Sequence, residues 1–200
     1  WNLSRLAETI LFLISKNTSD AIKVVEEILF DFDKNFNNSL DILISHKLGF
    51  KNNSKKTSSL YSELLNLMEA GKADFTGTFK SLKATLIKED DTIFLNNFRN
   101  SDEENLHAVS QWLGNWRKLL QENSKSKTEA IELLSSSNPE FIMRNHLVEQ
   151  AIGKATKGDF SDFEILCDLL ITPFEVKENH ETFYNAPRDS EVVHQTFCGT

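Results

Sequence analysis

NPEFIMRNHLVEQAIGKATKGDFSDFEILCDLLITPF, residues 138–174, holds two helix starts and two helix stops with little between them. Asn138 is a preferred N-cap type, and Pro139 follows at the first helical position, where a missing N–H costs nothing. Ile142, Leu147, Ala151 and Ile152 then form an apolar stripe at helical spacing. Gly158 supplies a left-handed residue to end that helix. Ser161 and Glu164 have the spacing of a capping box for the next one. Phe163, Ile165, Leu166, Leu169 and Leu170 are expected to line its buried face, and Pro173 stops it. The stretch predicts a helical hairpin.

The rest of the chain extends that reading. Glycine (7) and proline (3) are scarce among 200 residues, which argues against the many tight turns of a sandwich or barrel. Phenylalanine (15) is abundant and is expected to supply much of the core. Upstream, Leu3, Leu6, Ala7, Ile10, Leu11 and Ile14 share one face of a helix over Trp1–Ser15, expected to be buried. A second helix is capped by Thr18 or Ser19 and carries Ile22, Val25, Leu29 and Phe32, and Asn37 and Asn38 break its pattern. A third runs from about Ser39 to Lys47, with Gly49 just past it. Lys51–Ser59 reads as a polar loop. A fourth helix carries Leu60 to Met68 and ends at Gly71, and Asp74 caps a fifth with Phe75, Phe79, Leu82 and Leu86 inward. Phe94, Leu95 and Phe98 fit a short helix or an anchored loop. Ser101 and Glu104 form another capping box before Leu106, Val109, Trp112, Leu113, Trp116, Leu119 and Leu120. Thr128–Leu134 is a short helix. The pattern predicts an all-α array of seven to nine helices over residues 1–174, and an irregular tail over 175–200.

Composition narrows the function. A net charge of −8 is a poor match for nucleic acid, which needs a basic surplus. No apolar run approaches the roughly 20 residues of a membrane span, so no membrane partner is expected. The chain starts at Trp1 and shows no charged leader before an apolar core; it is expected to be a piece of a longer protein.

Candidate chemistry is sparse. Ala70–Gly77, AGKADFTG, lacks the glycine spacing and preceding strand of a phosphate loop, and Gly71 is better explained as a helix end. His46, His107, His146, His180 and His194 are scattered. His194 and Cys198 stand four apart, half of what a zinc site needs, so no metal site is expected. Asp90, Asp91, Asp102, Glu103 and Glu104 suit helix N-termini through the dipole. Cys167 falls on the apolar stripe of the last helix and reads as a buried, inert thiol. Cys198, third from the end beside Gly199, reads as a thiol able to reach a partner and exchange disulfides. Arg144, Asn145 and His146 interrupt an apolar helix; if buried they must be paired, by capping a neighbouring helix or by clamping a partner domain. These residues support a helical module that packs on something else.

Six blocks, in order, carry a resemblance: WNLSRLA from Trp1, HKLGF from His46, DFTGTFKSL from Asp74, WLGNWRKLL from Trp112, the 138–174 stretch, and APRDSEVVHQTFCGT from Ala186. Together they resemble the C-terminal region of the selenoprotein O family of kinase-like proteins. The resemblance implies a parent protein that binds ATP and Mg and transfers AMP to Ser, Thr or Tyr hydroxyls of protein substrates. It places the nucleotide- and metal-binding residues in a kinase-like core upstream of Trp1, so this chain holds no catalytic or cofactor-binding residue and is expected to be inactive alone. Its partners are then that core and the parent's protein substrates.

Cys198 matches the family's C-terminal cysteine or selenocysteine, which implies a redox-regulatory role through pairing with a cysteine of the core. The ending Cys-Gly-Thr departs from the family's Cys-Ser-Ser. Location would be cytoplasmic for a bacterial source and mitochondrial for a eukaryotic one. The alternatives are an autonomous helical protein–protein interaction module and a self-contained enzyme using His194 and Cys198.

Overall fold

The computed structural model describes residues 1–100, 102–123, 126–193 and 195. Among them are nine α-helices and no strand, the all-α array expected: α1 Asn2–Ile14, α2 Thr18–Lys47, α3 Lys55–Ala70, α4 Phe75–Lys88, α5 Thr92–Leu95, α6 Glu103–Asn123, α7 Lys127–Ser137, α8 Asn145–Ala155 and α9 Ser161–Ile171. The chain divides into two compact units, residues 1–44 and 45–200.

In the first unit α2 is one unbroken helix through Asn37 and Asn38, where a break was expected. Each asparagine disfavours helix by only about 0.7 kcal/mol relative to alanine, and no proline or glycine lies between Thr18 and Lys47 to remove a hydrogen bond. The stripe of α1 is not buried as its periodicity suggested. Only Ala7 of α1 and Ala21 of α2 are buried among residues 1–44, while Trp1, Phe12 and Phe30 are 87%, 73% and 86% exposed.

The second unit contains the main core. Capping chemistry sets its helices. Ser54 accepts a hydrogen bond from Thr57 N at 3.1 Å and starts α3 inside the expected polar loop. Asp74 accepts from Gly77 N at 2.7 Å and starts α4, as its sequence suggested. Asp102 accepts from Asn105 N at 2.8 Å at the head of α6; the expected cap Ser101 lies outside the described residues. Leu48, Leu64, Phe79, Leu82, Phe94, Val109, Leu113, Trp116 and Leu134 are almost wholly buried together. Phe94, Trp112 and Trp116 stack in series with centroids 5.7 and 6.2 Å apart. Their polar edges are satisfied: Trp112 Nε1 donates to Leu60 O at 2.8 Å, and Trp116 Nε1 to Leu48 O at 2.9 Å.

A smaller cluster of Phe141, Leu147, Ala151, Leu166 and Leu169 joins α8 to α9. Here the hairpin differs from its sequence reading at four points. Asn138 and Pro139 do not start a helix; Asn138 closes α7, and residues 138–144 are non-helical. Long-range bonds decide this. Glu140 N and Phe141 N both donate to Pro173 O at 2.8 and 3.0 Å, and Asn138 Nδ2 donates to Lys47 O at 2.9 Å. The Ser161–Glu164 box does not form, because Ser161 N donates instead to the Asp159 carboxylate at 3.0 Å. Ile152, Phe163 and Leu170, expected inward, are exposed. Cys167 is also exposed, not a buried thiol; α9 packs only through Leu166, Leu169 and the half-buried Ile165. Gly158 ends the α8 turn at φ +87°, as its position suggested.

Candidate functional site: a docked C-terminal segment

The geometry that matters is how the segment leading toward Cys198 is fastened. Its foundation is an ionic clasp between α4 and the non-helical segment before α8. Arg144 Nη1 and Nη2 donate to Asp74 Oδ2 and Oδ1 at 2.7 and 2.8 Å. Asp74 is thereby both a helix cap and one side of a bidentate pair. Burial alone would raise its carboxyl, but the Arg144 hydrogen bonds, the Gly77 amide and the Arg144 and Lys80 charges outweigh burial and hold it below the usual range. Of the run Arg144–Asn145–His146, Arg144 thus reinforces a neighbouring helix cap. Beside it, the buried Glu140 accepts from Lys83 at 2.5 Å and faces Lys80 at 3.8 Å. Burial is the largest influence on Lys80 and lowers its ammonium below the usual value, against the attraction of Glu140. Lys80 Nζ also sits 5.5 Å above the Tyr184 ring, which brings the clasp to the tail.

Within the tail, the described residues 175–193 are irregular, as expected, apart from 3₁₀ turns at Glu181–Tyr184 and Asp189–Glu191. It is nonetheless docked. Tyr184 meets Phe141 edge to face at 6.1 Å, and its Oη accepts from Lys177 N at 2.9 Å. Lys177 Nζ donates to Asp168 O and Oδ2 at 2.8 and 2.7 Å. Further along, Arg99 donates to Asp189 Oδ1 and to Pro187 O, both at 2.5 Å. Arg188 folds back on Glu191, with Nη2 at 2.7 Å from Oε1 and its own backbone N at 2.9 Å from Oε2. The Arg188 side-chain bonds hold the Glu191 carboxyl down at about 2.

Between α8 and residues 182–191 lies a cavity of about 470 Å³, lined by His146, Gln150, Phe183, Asn185, Arg188 and Glu191 among others. His146 is only 7% exposed. Burial pushes its imidazole below the usual value, with Glu191 pulling it up and Arg144 pushing it further down.

His194 and Cys198 lie outside the described residues. The acidic residues expected at helix ends do local work: Asp91 pairs with Arg117, and Asp90 accepts from Thr92 N at 2.9 Å. Among the described residues, no three His, Cys, Asp or Glu side chains converge on a point that could hold a metal ion. No helix among them is long and apolar enough to cross a membrane. Sequence reasoning missed the pairings Asp74–Arg144, Arg99–Asp189 and Lys177–Asp168; only the cap at Asp74 gave a local signal.

Fold and site together define a helical module whose described C-terminal residues are docked on it. Residues 1–171 match the family described as Protein adenylyltransferase SelO, and the chain belongs to that family. Similar proteins named Protein nucleotidyltransferase YdiU include those of Rhizobium meliloti (strain 1021), 38% identical, and Clostridium botulinum (strain Okra / Type B1), 35% identical. That of Bacillus cereus (strain AH187) is 31% identical. Each similarity covers 100% of this chain but only 39–40% of the relative, so the chain spans about two fifths of the length of these relatives.

Proposed function

We propose that this chain is the C-terminal helical part of a protein nucleotidyltransferase that transfers AMP from ATP, with Mg, to Ser, Thr or Tyr hydroxyls of proteins. The observation that carries the reading is the full-length match of this chain to two fifths of relatives named nucleotidyltransferases. Residues 1–174 buttress a kinase-like catalytic core that supplies every nucleotide- and metal-binding group. The exposed apolar side chains of Trp1–Ile44 support that role, since faces of this kind are ordinarily covered by a partner. The 175–200 tail brings Cys198 to a thiol of the core. Two thiols form a disulfide by passing two electrons and two protons to a small-molecule disulfide, which leaves as two thiols.

Labelled-ATP assays test the first part. The chain alone is expected to transfer no AMP to protein acceptors, and the protein with its full upstream sequence is expected to transfer it. AMP transfer by this chain alone would overturn the reading, and an upstream sequence without a kinase-like core would favour an autonomous interaction module. For the redox part, Cys198→Ser in the full protein is expected to abolish a mobility difference on non-reducing gels and the response of AMP transfer to oxidant. Identical behaviour of both forms would remove that part alone.

A further inference from the structure

The geometry points to residues 186–193 acting as a hinged flap over His146, anchored at Tyr184 and latched by Arg99. The two ends of this segment are held very differently. At the hinge, Tyr184 packs on Phe141 and lies under Lys80, and Phe183 joins the Phe141–Leu147–Leu166–Leu169 cluster. Beyond it, the hydrogen bonds and ion pairs that tie residues 186–193 to the helices come, among the described residues, from Arg99 alone. That latch is superficial: the Arg99 and Asp189 side chains are 40% and 95% exposed. Exposed pairs of this kind are individually weak and screened by salt. The remaining ion pair, Arg188–Glu191, is internal to the flap and moves with it.

The flap covers a specific feature. His146 is buried beneath it, and its ring makes no hydrogen bond to another described residue while lining the 470 Å³ cavity. The charges facing His146 are Glu191 from the flap and Arg144 from the segment before α8. Opening the latch removes Glu191 and admits water to the ring, so the surroundings that set the imidazole's titration change.

Opening also changes reach. Cys198 follows Asp189 by nine positions and Tyr184 by fourteen. At 3.3–3.6 Å per residue the maximum reach grows from about 30–32 Å to about 46–50 Å when the fixed point moves from the latch to the hinge. This consequence rests on the redox reading of Cys198; the flap itself does not.

The experiment uses the full chain, wild type and Arg99→Ala. NMR titration of the histidine rings, with His146 assigned from a His146→Gln variant, is combined with amide exchange by segment. Arg99→Ala is expected to shift the His146 titration. Exchange of residues 188–193 should quicken about two- to fivefold, with α6 unchanged; 0.5 M salt should act similarly and Arg99→Lys should fall between. Lys177→Ala, on the far side of the hinge, should leave His146 unmoved. An unchanged His146 titration in Arg99→Ala overturns the proposal. So does an equal rise of exchange in α6, which makes Arg99 a general structural residue, or a Lys177→Ala effect as large as that of Arg99→Ala. A flap that opens as expected, beside a Cys198→Ser protein of unchanged redox response, removes only the reach consequence.

Discussion

Arg144 grips Asp74 across 70 residues of sequence with two hydrogen bonds of 2.7 and 2.8 Å, while the same carboxylate caps α4 through Gly77 N. One acid thus starts a helix in the main core and fixes the segment that leads into the second cluster.

Removing Arg144 leaves that carboxylate largely buried without its cation. Arg144→Ala is expected to destabilise the chain by roughly 3 kcal/mol, in the range for breaking a buried pair, and Arg144→Lys by less because it keeps the charge but not the fork. The folded-state carboxyl of Asp74 lies below its unfolded value. The unfolded chain therefore binds the proton first, and the stabilisation, complete at neutral pH, is lost as pH falls below the unfolded value toward the folded one. Urea unfolding at pH 7 and at stepped acid pH should show this loss in wild type and less of it in Arg144→Ala.

Trp116 is fully buried and donates to Leu48 O at the head of the main core. Trp116→Phe keeps an aromatic ring but orphans a buried carbonyl and leaves a void. It should cost about 1–3 kcal/mol, against about 3–5 for Trp116→Ala. Denaturant midpoints of the two variants measure the difference.

Gly77 tests close packing in the first turn of α4. A Cβ there would stand 2.3 Å from Asn97 Oδ1 and 2.8 Å from Asp74 Oδ1. Asn97 cannot swing away freely, because its Nδ2 holds Ser81 Oγ, Ile93 O and Phe94 O at 3.0–3.1 Å. Gly77→Ala should therefore destabilise by about 1–3 kcal/mol despite the better helix propensity of alanine. Adding Asn97→Ala should recover part of the loss, a non-additivity readable in thermal melts.

Cys167 is exposed on α9. Native-state alkylation followed by peptide mass spectrometry should modify it within the time that labels a free thiol in solution. Protection until denaturant is added would contradict its placement.

Local signals read well from the sequence. The Asp74 cap and the left-handed Gly158 each act within a few residues, so spacing alone revealed them. The Trp112–Trp116 pair likewise lies on one face of α6 at a helical interval and is buried as its period required. Of the candidate site, only the tail's irregularity and the Asp74 cap were visible. Arg99 and Lys177 carry no periodic mark; their partners are chosen by the fold.

The sequence by itself determined that this chain is helical, roughly where its helices turn, and to which family it belongs, because helix stripes, caps and motif order are short-range properties. The tertiary structure alone decided that residues 138–144 leave the helix, that Cys167 faces outward and that the tail is fastened through Tyr184 and Arg99. In each case a partner from a distant part of the chain determined the outcome. Pro173 O takes the amides that a helix would have used, α9 buries only a narrow stripe, and Arg99 meets Asp189 across 90 residues. No local propensity encodes such pairings, since their energy exists only once the distant groups have been brought together.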